Sequence, residues 1–433
     1  MNKMDSNLLS SIQKSMYLTQ KMYPESPMFN VGGYCIISAH LDENQISNAL
    51  DKIIMNQEML RTKFVEKDGV CYQQLCNTKT GIIKTLTLDQ NELEKFAEQE
   101  MTKCLSLESP YLFYIIKCQT KTVVFMKMHH MLCDGYSISI LVNQFKKAFE
   151  YPDYELIVGD TYSRYINEEK EYCKTERYIK DEKFWNEATS LPKEKAFESC
   201  GTSTIISNKV KRKSVIIKRD AFKNIESELK KYNSTIYHYI ISNLYVLNHI
   251  YNNQDFYLGL PVLNRLGKNK NVLGPYIKVM PFGIDFDSCN TFIDVLNKTT
   301  AGIYNSYRHL KFPMNQIERN KNGLGYNVTF SYQRTSYPLD INNIPIDVRY
   351  MNPSEQQEDL TFHLLENKDT DEDVVFCVDY KVDMFEEKII SMLLERFQNL
   401  FLSLYKDISV EIKNIKPLKE EDERQILKSF QKH

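Results

Sequence analysis

The residues best suited to chemistry lie in one short run, Val123–Ser137, with the sequence VVFMKMHHMLCDGYS. An apolar, strand-like stretch ends at His129 and His130, and the second histidine is followed four residues later by Asp134 and then by Gly135. Imidazole is the side chain best matched to proton transfer near neutral pH. The sequence therefore predicts an acid–base site where a strand passes through a loop into a helix.

The helix predicted after Gly135 would direct backbone N–H groups toward this loop, where they could stabilise an oxyanion. Glycine at this position would also let a substrate approach the backbone closely. Neighbouring strand residues point to opposite faces, so only one of His129 and His130 can face a given cavity. One histidine would then be catalytic and the other structural, although residue types alone also allow a packing role for both.

The elements around this run alternate between helical and strand-like patterns. Helices are predicted at Asp42–Asn56, Ser137–Glu150, Thr161–Asn186 and Glu386–Lys406, and strands at Leu112–Cys118, Thr122–Met128, Lys213–Ile217, Tyr326–Gln333 and Val374–Tyr380. A polar stretch over 188–212, with Pro192 and Gly201, indicates a linker between two lobes. The order of elements predicts an α/β (α+β) protein with an N-terminal lobe at 1–187 and a C-terminal lobe at 213–433.

Composition argues against several classes of function. With 433 residues and a formal net charge of −2, the chain has no overall field that would attract nucleic acid or an anionic membrane. No apolar run approaches the roughly 20 residues of a membrane span, and no secretory signal is evident. The ten cysteines form no Cys-x-x-Cys pair, so no metal site is expected and the thiols are predicted to be reduced in the cytoplasm. Phosphate-binding, dinucleotide-binding and serine-hydrolase motifs are absent from the sequence.

Several segments distributed along the chain resemble the motifs of one known family. MHHMLCDGYS resembles the HHxxxDG signature of condensation domains of non-ribosomal peptide synthetases, which belong to the chloramphenicol-acetyltransferase-like superfamily. The other segments that carry the resemblance are SIQKSMYL, NQEMLRTKF, LGPYIKVMP, HLKFPMNQI, YNVTFSYQ, DLTFHLLE and VVFCVDYKVDMF, in the family's order. Departures include Cys133 before the aspartate and Tyr136 where tryptophan is common.

The resemblance implies a fold and a set of roles. The fold would be two chloramphenicol-acetyltransferase-like lobes in a V shape with an active-site tunnel between them, a floor loop at about 264–275 and a latch at about 349–362. The catalytic loop would hold His130 as a base or positioning acceptor, His129 as a structural residue, Asp134 as a structural carboxylate, and Gly135 beside the reaction centre. Arg61 would pair with Asp134 and support the loop. Substrate-binding residues would be Tyr136, Ser331 and Gln333.

The resemblance also implies an activity, namely amide bond formation between an acyl or peptidyl thioester and an aminoacyl thioester on a carrier protein. A starter type that attaches a fatty acyl group to the first amino acid is one form of this prediction. No bound cofactor is expected, because 4′-phosphopantetheine or coenzyme A carries the substrates. Expected partners are acyl or peptidyl carrier proteins and an adjacent adenylation domain, reached through a helix at 420–430, with neither nucleic acid nor membrane and with the chain as a monomer. Two alternatives stay open: a free-standing acyl-CoA-dependent acyltransferase, and an inactive platform that docks carrier proteins.

Overall fold

The structure is a computed structural model. It describes residues 6–156, 159–190, 194–197, 207–252, 255–265, 267–320, 325–351 and 353–415. The helix predicted at 420–430 lies outside the described residues, as do Pro192 and Gly201. Within these ranges, no helix combines the length and the apolar character that crossing a bilayer requires.

The regular elements are numbered in chain order. The strands are β1 (Ser6–Leu8), β2 (Asn30–Ile37), β3 (Thr62–Lys67), β4 (Val70–Leu75), β5 (Ile82–Thr87), β6 (Tyr111–Lys117), β7 (Thr122–His129), β8 (Val210–Ile217), β9 (Leu258–Leu263), β10 (Ile277–Phe282), β11 (Val328–Thr335), β12 (Asp340–Ile341), β13 (Ile344–Met351), β14 (Leu360–Asn367) and β15 (Val374–Lys381). The helices are α1 (Ser11–Met22), α2 (Glu43–Asn56), α3 (Leu93–Met101), α4 (Gly135–Glu150), α5 (Tyr162–Tyr172), α6 (Glu176–Ala188), α7 (Arg219–Leu229), α8 (Ile236–Asn252), α9 (Phe292–Tyr307), α10 (Met314–Asn320) and α11 (Glu387–Ser403).

Several helices begin where the sequence offers a capping side chain. Ser10, Asp42 and Asp134 each accept a hydrogen bond from the backbone N–H three residues further on, at the starts of α1, α2 and α4. Such a cap satisfies one of the N–H groups that a helix start leaves without an intrahelical partner, and it stabilises the helix by about 1 kcal/mol. The start of α4 is therefore set by Asp134.

The chain forms two compact units, each built from separate stretches of sequence. Unit 1 contains Met1–Thr175, Leu263–Ile277 and Ser336–Glu355, and unit 2 contains Glu176–Val262, Lys278–Thr335 and Gln356–His433. The units therefore divide the chain differently from the predicted lobes. Helix α6 belongs to unit 2 because Trp185 is fully buried in the core of that unit. The stretch predicted as a floor loop belongs to unit 1, and so does β13, which begins before the predicted latch.

Unit 1 is built on a six-stranded sheet with the order β12-β13-β2-β7-β6-β5, beside a three-stranded sheet β1-β4-β3. β7 pairs antiparallel with β2 and with β6, and all eight of its residues are buried. Helices α2 and α4 contact each other and place Leu50, Ile53, Leu141 and Phe145 in the core at helical spacing. The strand that leads into the two histidines is thus held on both edges.

Unit 2 is built on a second six-stranded sheet, with the order β10-β9-β11-β14-β15-β8. β9, β11 and β14 run parallel, and β15 pairs antiparallel with both β14 and β8. One face carries the core, in which Phe376 of β15 stacks on Phe397 of α11 with ring centroids 3.7 Å apart. The other face carries polar side chains, and we call it the polar face.

Two local predictions differ from the structure. The helix predicted over Thr161–Asn186 is two helices, α5 and α6, because the chain turns at Cys173–Thr175. The antiparallel partner of β2, β13, begins at Ile344, five residues before the strand-like latch predicted at about 349–362. Its residues Ile344, Ile346 and Val348 pack against the core and alternate with more exposed ones. The nine cysteines in the described ranges are free thiols, and Cys200 lies outside those ranges.

Candidate active site

The two histidines lie where β7 leaves the sheet. His129 is the last residue of β7, and α4 begins at Gly135, so the loop between them is short. The N–H of His130 donates to the carbonyl of Phe29 at 2.7 Å, and the carbonyl of His130 accepts from the N–H of Cys133 at 3.4 Å. These bonds fix the backbone of the loop beside Phe29, the residue before β2.

His129 is buried, and both nitrogens of its ring have partners. Nδ1 accepts the backbone N–H of Met131 at 3.1 Å, and Nε2 lies 3.2 Å from Oε1 of Gln20. This pattern requires the neutral ring with its proton on Nε2. Burial, reinforced by the neighbouring His130, lowers the pKa of His129 to about 3. His129 is therefore a neutral structural residue at physiological pH.

His130 has a different environment. Its side chain is partly exposed, while its Nδ1 atom is buried and makes no hydrogen bond of good geometry within the described residues. Burial lowers the pKa of His130, and the carboxylate of Asp134 and nearby backbone groups offset this effect only in part. The ring is accordingly neutral near pH 7, and its Nε2 makes no hydrogen bond to a described residue.

Asp134 is fully buried, and both of its carboxylate oxygens are bonded. Oδ1 accepts from the N–H and the hydroxyl of Ser137, each at 2.9 Å, and from Nη2 of Arg265 at 2.8 Å. Oδ2 accepts from the backbone N–H of Tyr276 at 3.0 Å. The carboxylate is therefore fully used in holding the start of α4 against the 263–277 segment.

Arg265 is the partner that completes this anchor. Its side chain is 1% exposed, and besides Asp134 its Nη2 donates to the hydroxyl of Ser137 at 2.8 Å and to the carbonyl of Gly274 at 2.9 Å. The guanidinium carbon also lies 4.3 Å from the ring centroid of Tyr276, within cation–π range. A buried ion pair with this many further hydrogen bonds fixes geometry, because breaking it would leave an unpaired buried charge.

The pairing of Asp134 with Arg61 predicted from the sequence is wrong. Nη1 of Arg61 donates instead to the carbonyl of Cys76 at 3.1 Å, since Arg61 ends a short helical turn that leads into β3. Sequence reasoning missed Arg265, although it is the one arginine in the predicted floor loop over 264–275. An arginine isolated in a Gly/Lys/Asn-rich loop was the available signal.

Gly135 and Tyr136 form the first turn of α4. A Cβ built on Gly135 meets no atom within 4 Å, so neither packing nor backbone conformation requires glycine there. Tyr136 is 42% exposed, and its ring centroid lies 5.3 Å from the guanidinium carbon of Arg265. The N–H groups of both residues make no hydrogen bond to a described residue, because the cap from Asp134 goes to Ser137.

The two other residues predicted to bind substrate, Ser331 and Gln333, lie on the polar face of unit 2. Ser331 is opposite His363 in the register of β11 and β14, and Gln333 contacts the ring of His363. Among the described residues, no group of three or more His, Cys, Asp or Glu side chains is arranged to hold a metal ion.

Comparison with known proteins gives a consistent result. The family model described as "Condensation domain" matches residues 3–427. Surfactin synthase subunit 1 of Bacillus subtilis (strain 168) is 23% identical over 93% of this chain, and gramicidin S synthase 2 of Brevibacillus brevis is 22% identical over 98% of it. The chain spans about a tenth of the length of these relatives, at 11% and 10%.

Solved structures with the same fold include three different domains. The starter condensation domain of rhizomide synthetase, in complex with C8-CoA, has a TM-score of 0.83 at 15% identity and covers 95% of this chain and 97% of its own. The first condensation domain of the calcium-dependent antibiotic synthetase has a TM-score of 0.82 at 16% identity, covering 96% and 100%. The X-domain from teicoplanin biosynthesis, in complex with OxyB, has a TM-score of 0.84 at 15% identity, covering 97% and 98%.

The fold is of the mixed α/β class and is shared with solved condensation domains. Within that class, the chain belongs to the condensation-domain family of non-ribosomal peptide synthetases.

Proposed function

We propose that the chain catalyses amide bond formation between an acyl thioester donor and an aminoacyl thioester held on a carrier protein. The observation that carries the proposal is His130, a neutral imidazole with an available Nε2 beside a rigidly anchored helix start. In the reaction, the amine nitrogen attacks the thioester carbonyl, the C–N bond forms and the C–S bond breaks. Nε2 of His130 takes the amine proton, which then passes to the departing thiolate.

The start of α4 supports the same chemistry. Because the N–H groups of Gly135 and Tyr136 are not used within the described fold, they are candidates to stabilise the oxyanion that forms on the thioester carbonyl. The absence of a side chain at Gly135 would leave room for the reacting carbonyl. Carrier-bound phosphopantetheine would deliver the substrates, and an adenylation domain would load the acceptor.

A starter form of this activity, with a fatty acyl donor, is favoured by the likeness to the rhizomide starter domain, which was solved in complex with C8-CoA. The test combines octanoyl-CoA or an octanoyl carrier with an aminoacyl carrier, and detects the N-acyl product by mass spectrometry. We expect His130→Ala to lower kcat by about 10²- to 10⁴-fold without a change in thermal unfolding. The matched control is His40→Ala, an exposed histidine of unit 1 that should leave kcat unchanged. Absence of product with every acyl donor would refute the starter form.

Two alternatives are separated by the same assay. A free-standing acyltransferase would turn over a soluble amine or alcohol at low concentration without a carrier protein. A docking platform is suggested by the likeness to the X-domain, which was solved in complex with OxyB. A platform would keep its recruiting function in the His130→Ala variant and would give no amide product in the wild type.

A further inference from the structure

Helix α1 of unit 1 carries two buried glutamines, Gln13 and Gln20. They lie seven residues apart, which is close to two full turns, so their side chains leave the helix on the same face. Gln13 is fully buried and Gln20 is 7% exposed, and with Tyr17 they make up the buried residues of this helix. An amide is costly to bury unless it is hydrogen-bonded, so a buried face made largely of amides indicates specific polar contacts.

The surroundings of Gln20 fix the orientation of its amide group. Its Nε2 lies near three backbone carbonyls, those of Tyr23 at 2.8 Å, Ser26 at 3.2 Å and Pro24 at 3.3 Å. Because carbonyls only accept hydrogen bonds, the NH₂ group must lie on this side and the amide oxygen on the other. That oxygen is 3.2 Å from Nε2 of His129, so Nε2 is the protonated nitrogen of the neutral ring.

The proton on Nε2 leaves Nδ1 of His129 as a hydrogen-bond acceptor. Nδ1 accepts the backbone N–H of Met131 at 3.1 Å. The other tautomer would set a ring N–H against the N–H of Met131, and this bond could not form. Gln20 therefore acts on the histidine loop through the ring of His129.

The second glutamine, Gln13, holds the other polar group of the same backbone residue. Its Nε2 donates to the carbonyl of Met131 at 2.9 Å and to Oε1 of Gln73 at 3.2 Å. Its Oε1 accepts the backbone N–H of Ser10 at 3.0 Å, in the capping box of α1. Met131 directly follows His130, so the backbone that leaves His130 is held by side chains that α1 provides or orients.

We propose that Gln13 and Gln20 are positioning residues for His130, because they fix the backbone from which its imidazole projects. Gln13 acts directly on the carbonyl of Met131, and Gln20 acts through the tautomer of His129. This inference rests on the proposed amide-forming function, in which Nε2 of His130 takes the amine proton. Proton transfer needs the two heavy atoms within about 3 Å, so a small shift of this backbone would lower the rate while leaving substrate affinity nearly unchanged.

The principal variant is Gln20→Met, which keeps the length of the side chain and removes the amide. We expect kcat to fall about 10- to 100-fold, with KM changed by less than about two-fold, because His130 is displaced from its working position. The matched control is Gln45→Met, at an exposed glutamine of α2, which should leave kcat unchanged. Wild-type kcat in a folded Gln20→Met protein would overturn the role of Gln20.

Nitrogen-15 NMR of labelled histidine measures the tautomer of His129 directly, and the signal that disappears in His129→Asn identifies this ring. The wild type should show the Nε2–H form alone. Gln20→Met should also populate the Nδ1–H form, because the Nε2–H group has lost its acceptor. A general loss of stability would not change the tautomer in the folded protein, so the spectrum separates positioning from structural support. A wild-type ring protonated on Nδ1 would contradict the inference, whether or not the variant folds.

Gln13→Glu tests the contact to the carbonyl of Met131. Glutamate keeps the oxygen that caps α1 and loses the amide donor, but its protonated form can still donate to this carbonyl. Burial raises the pKa of such a carboxyl, so kcat relative to the wild type should fall as pH rises from about 6 to about 8.5 and the group ionises. Thermal unfolding at the same pH values checks that the variant is folded.

Two further results decide the remaining points. A ratio of the Gln13→Glu kcat to the wild-type kcat that does not change with pH would overturn the role of Gln13. If the wild type forms no amide with any donor and acceptor, the proposed function fails. The tautomer of His129, which is measured without substrate, still tests the contacts of Gln20 in that case.

Discussion

At the scale of single residues, the surrounding groups give the two adjacent histidines at the end of β7 opposite properties. Both ring nitrogens of His129 have hydrogen-bond partners, whereas one ring nitrogen of His130 remains available. The sequence predicted that only one of them could face a cavity, from strand alternation alone. Which atoms hold each ring could not be predicted, because Gln20 reaches His129 from a helix more than a hundred residues away in sequence.

His129 should make stability depend on pH. Its pKa is about 3 in the folded protein and near 6.5 when unfolded, so the unfolded state binds a proton first as pH falls. Its contribution is complete above pH 6.5 and is lost progressively as pH falls toward 3. Between pH 7 and 5 the loss is about 2 kcal/mol. Urea unfolding at pH 7 and pH 5 measures the change in the free energy of unfolding between the two pH values. This change should be larger by that amount in the wild type than in His129→Asn. Equal changes would contradict a neutral, buried His129.

A substitution at Gly135 should change catalysis without lowering the stability of the fold. A methyl group there meets open space at the first position of a helix, so Gly135→Ala should leave the free energy of unfolding unchanged or raise it by up to about 1 kcal/mol. If a substrate carbonyl occupies that space, kcat should fall by about 10- to 100-fold. Thermal unfolding and the amide assay measure the two effects on one preparation. Wild-type kcat in a stable variant would show that substrate does not approach the backbone there.

At the scale of elements, the start of α4 is held by the segment 263–277 and not by β3. Arg265→Ala leaves the carboxylate of Asp134 buried without its charge partner and should lower the free energy of unfolding by about 3–5 kcal/mol. Arg61→Ala removes one hydrogen bond to a carbonyl and should cost about 1 kcal/mol. Chemical denaturation of both variants measures the two losses in the free energy of unfolding. A loss in Arg61→Ala that equals or exceeds the loss in Arg265→Ala would support the pairing of Arg61 with Asp134.

The elements nearest the site were the most predictable from sequence. Helices α2 and α4 and the β6–β7 hairpin carry strong apolar periodicity, and the structure has them within one or two residues of the predicted bounds. β13 does alternate, with Ile344, Ile346 and Val348 on the core side and more exposed residues between them, but its sequence could not show that it pairs with β2. The Arg265 contact was missed for a different reason, since nothing local in a polar loop indicates which distant carboxylate it meets.

At the scale of the whole molecule, each unit is assembled from three stretches of chain. A fragment covering 1–187, the predicted N-terminal lobe, would lack Arg265 and the β12–β13 hairpin that pairs with β2. We expect this fragment to lack cooperative thermal unfolding and to bind a hydrophobic dye, because a long strand edge and a buried carboxylate lose their partners. The full chain is the control. A sharp, reversible transition in the isolated fragment would contradict the expectation.

The interleaved course of the chain also determines which parts can be exchanged between related synthetases. A single crossover between residues 176 and 262 would join Asp134 from one parent to Arg265 from the other, so a hybrid of this kind depends on two lineages having kept the same ion pair. Replacing only Lys278–Thr335 leaves unit 1 entirely parental while changing the strand that carries Gln333. Lys278–Thr335 is one of three stretches of unit 2, and exchanging it alters the sheet of that unit without changing the histidine loop.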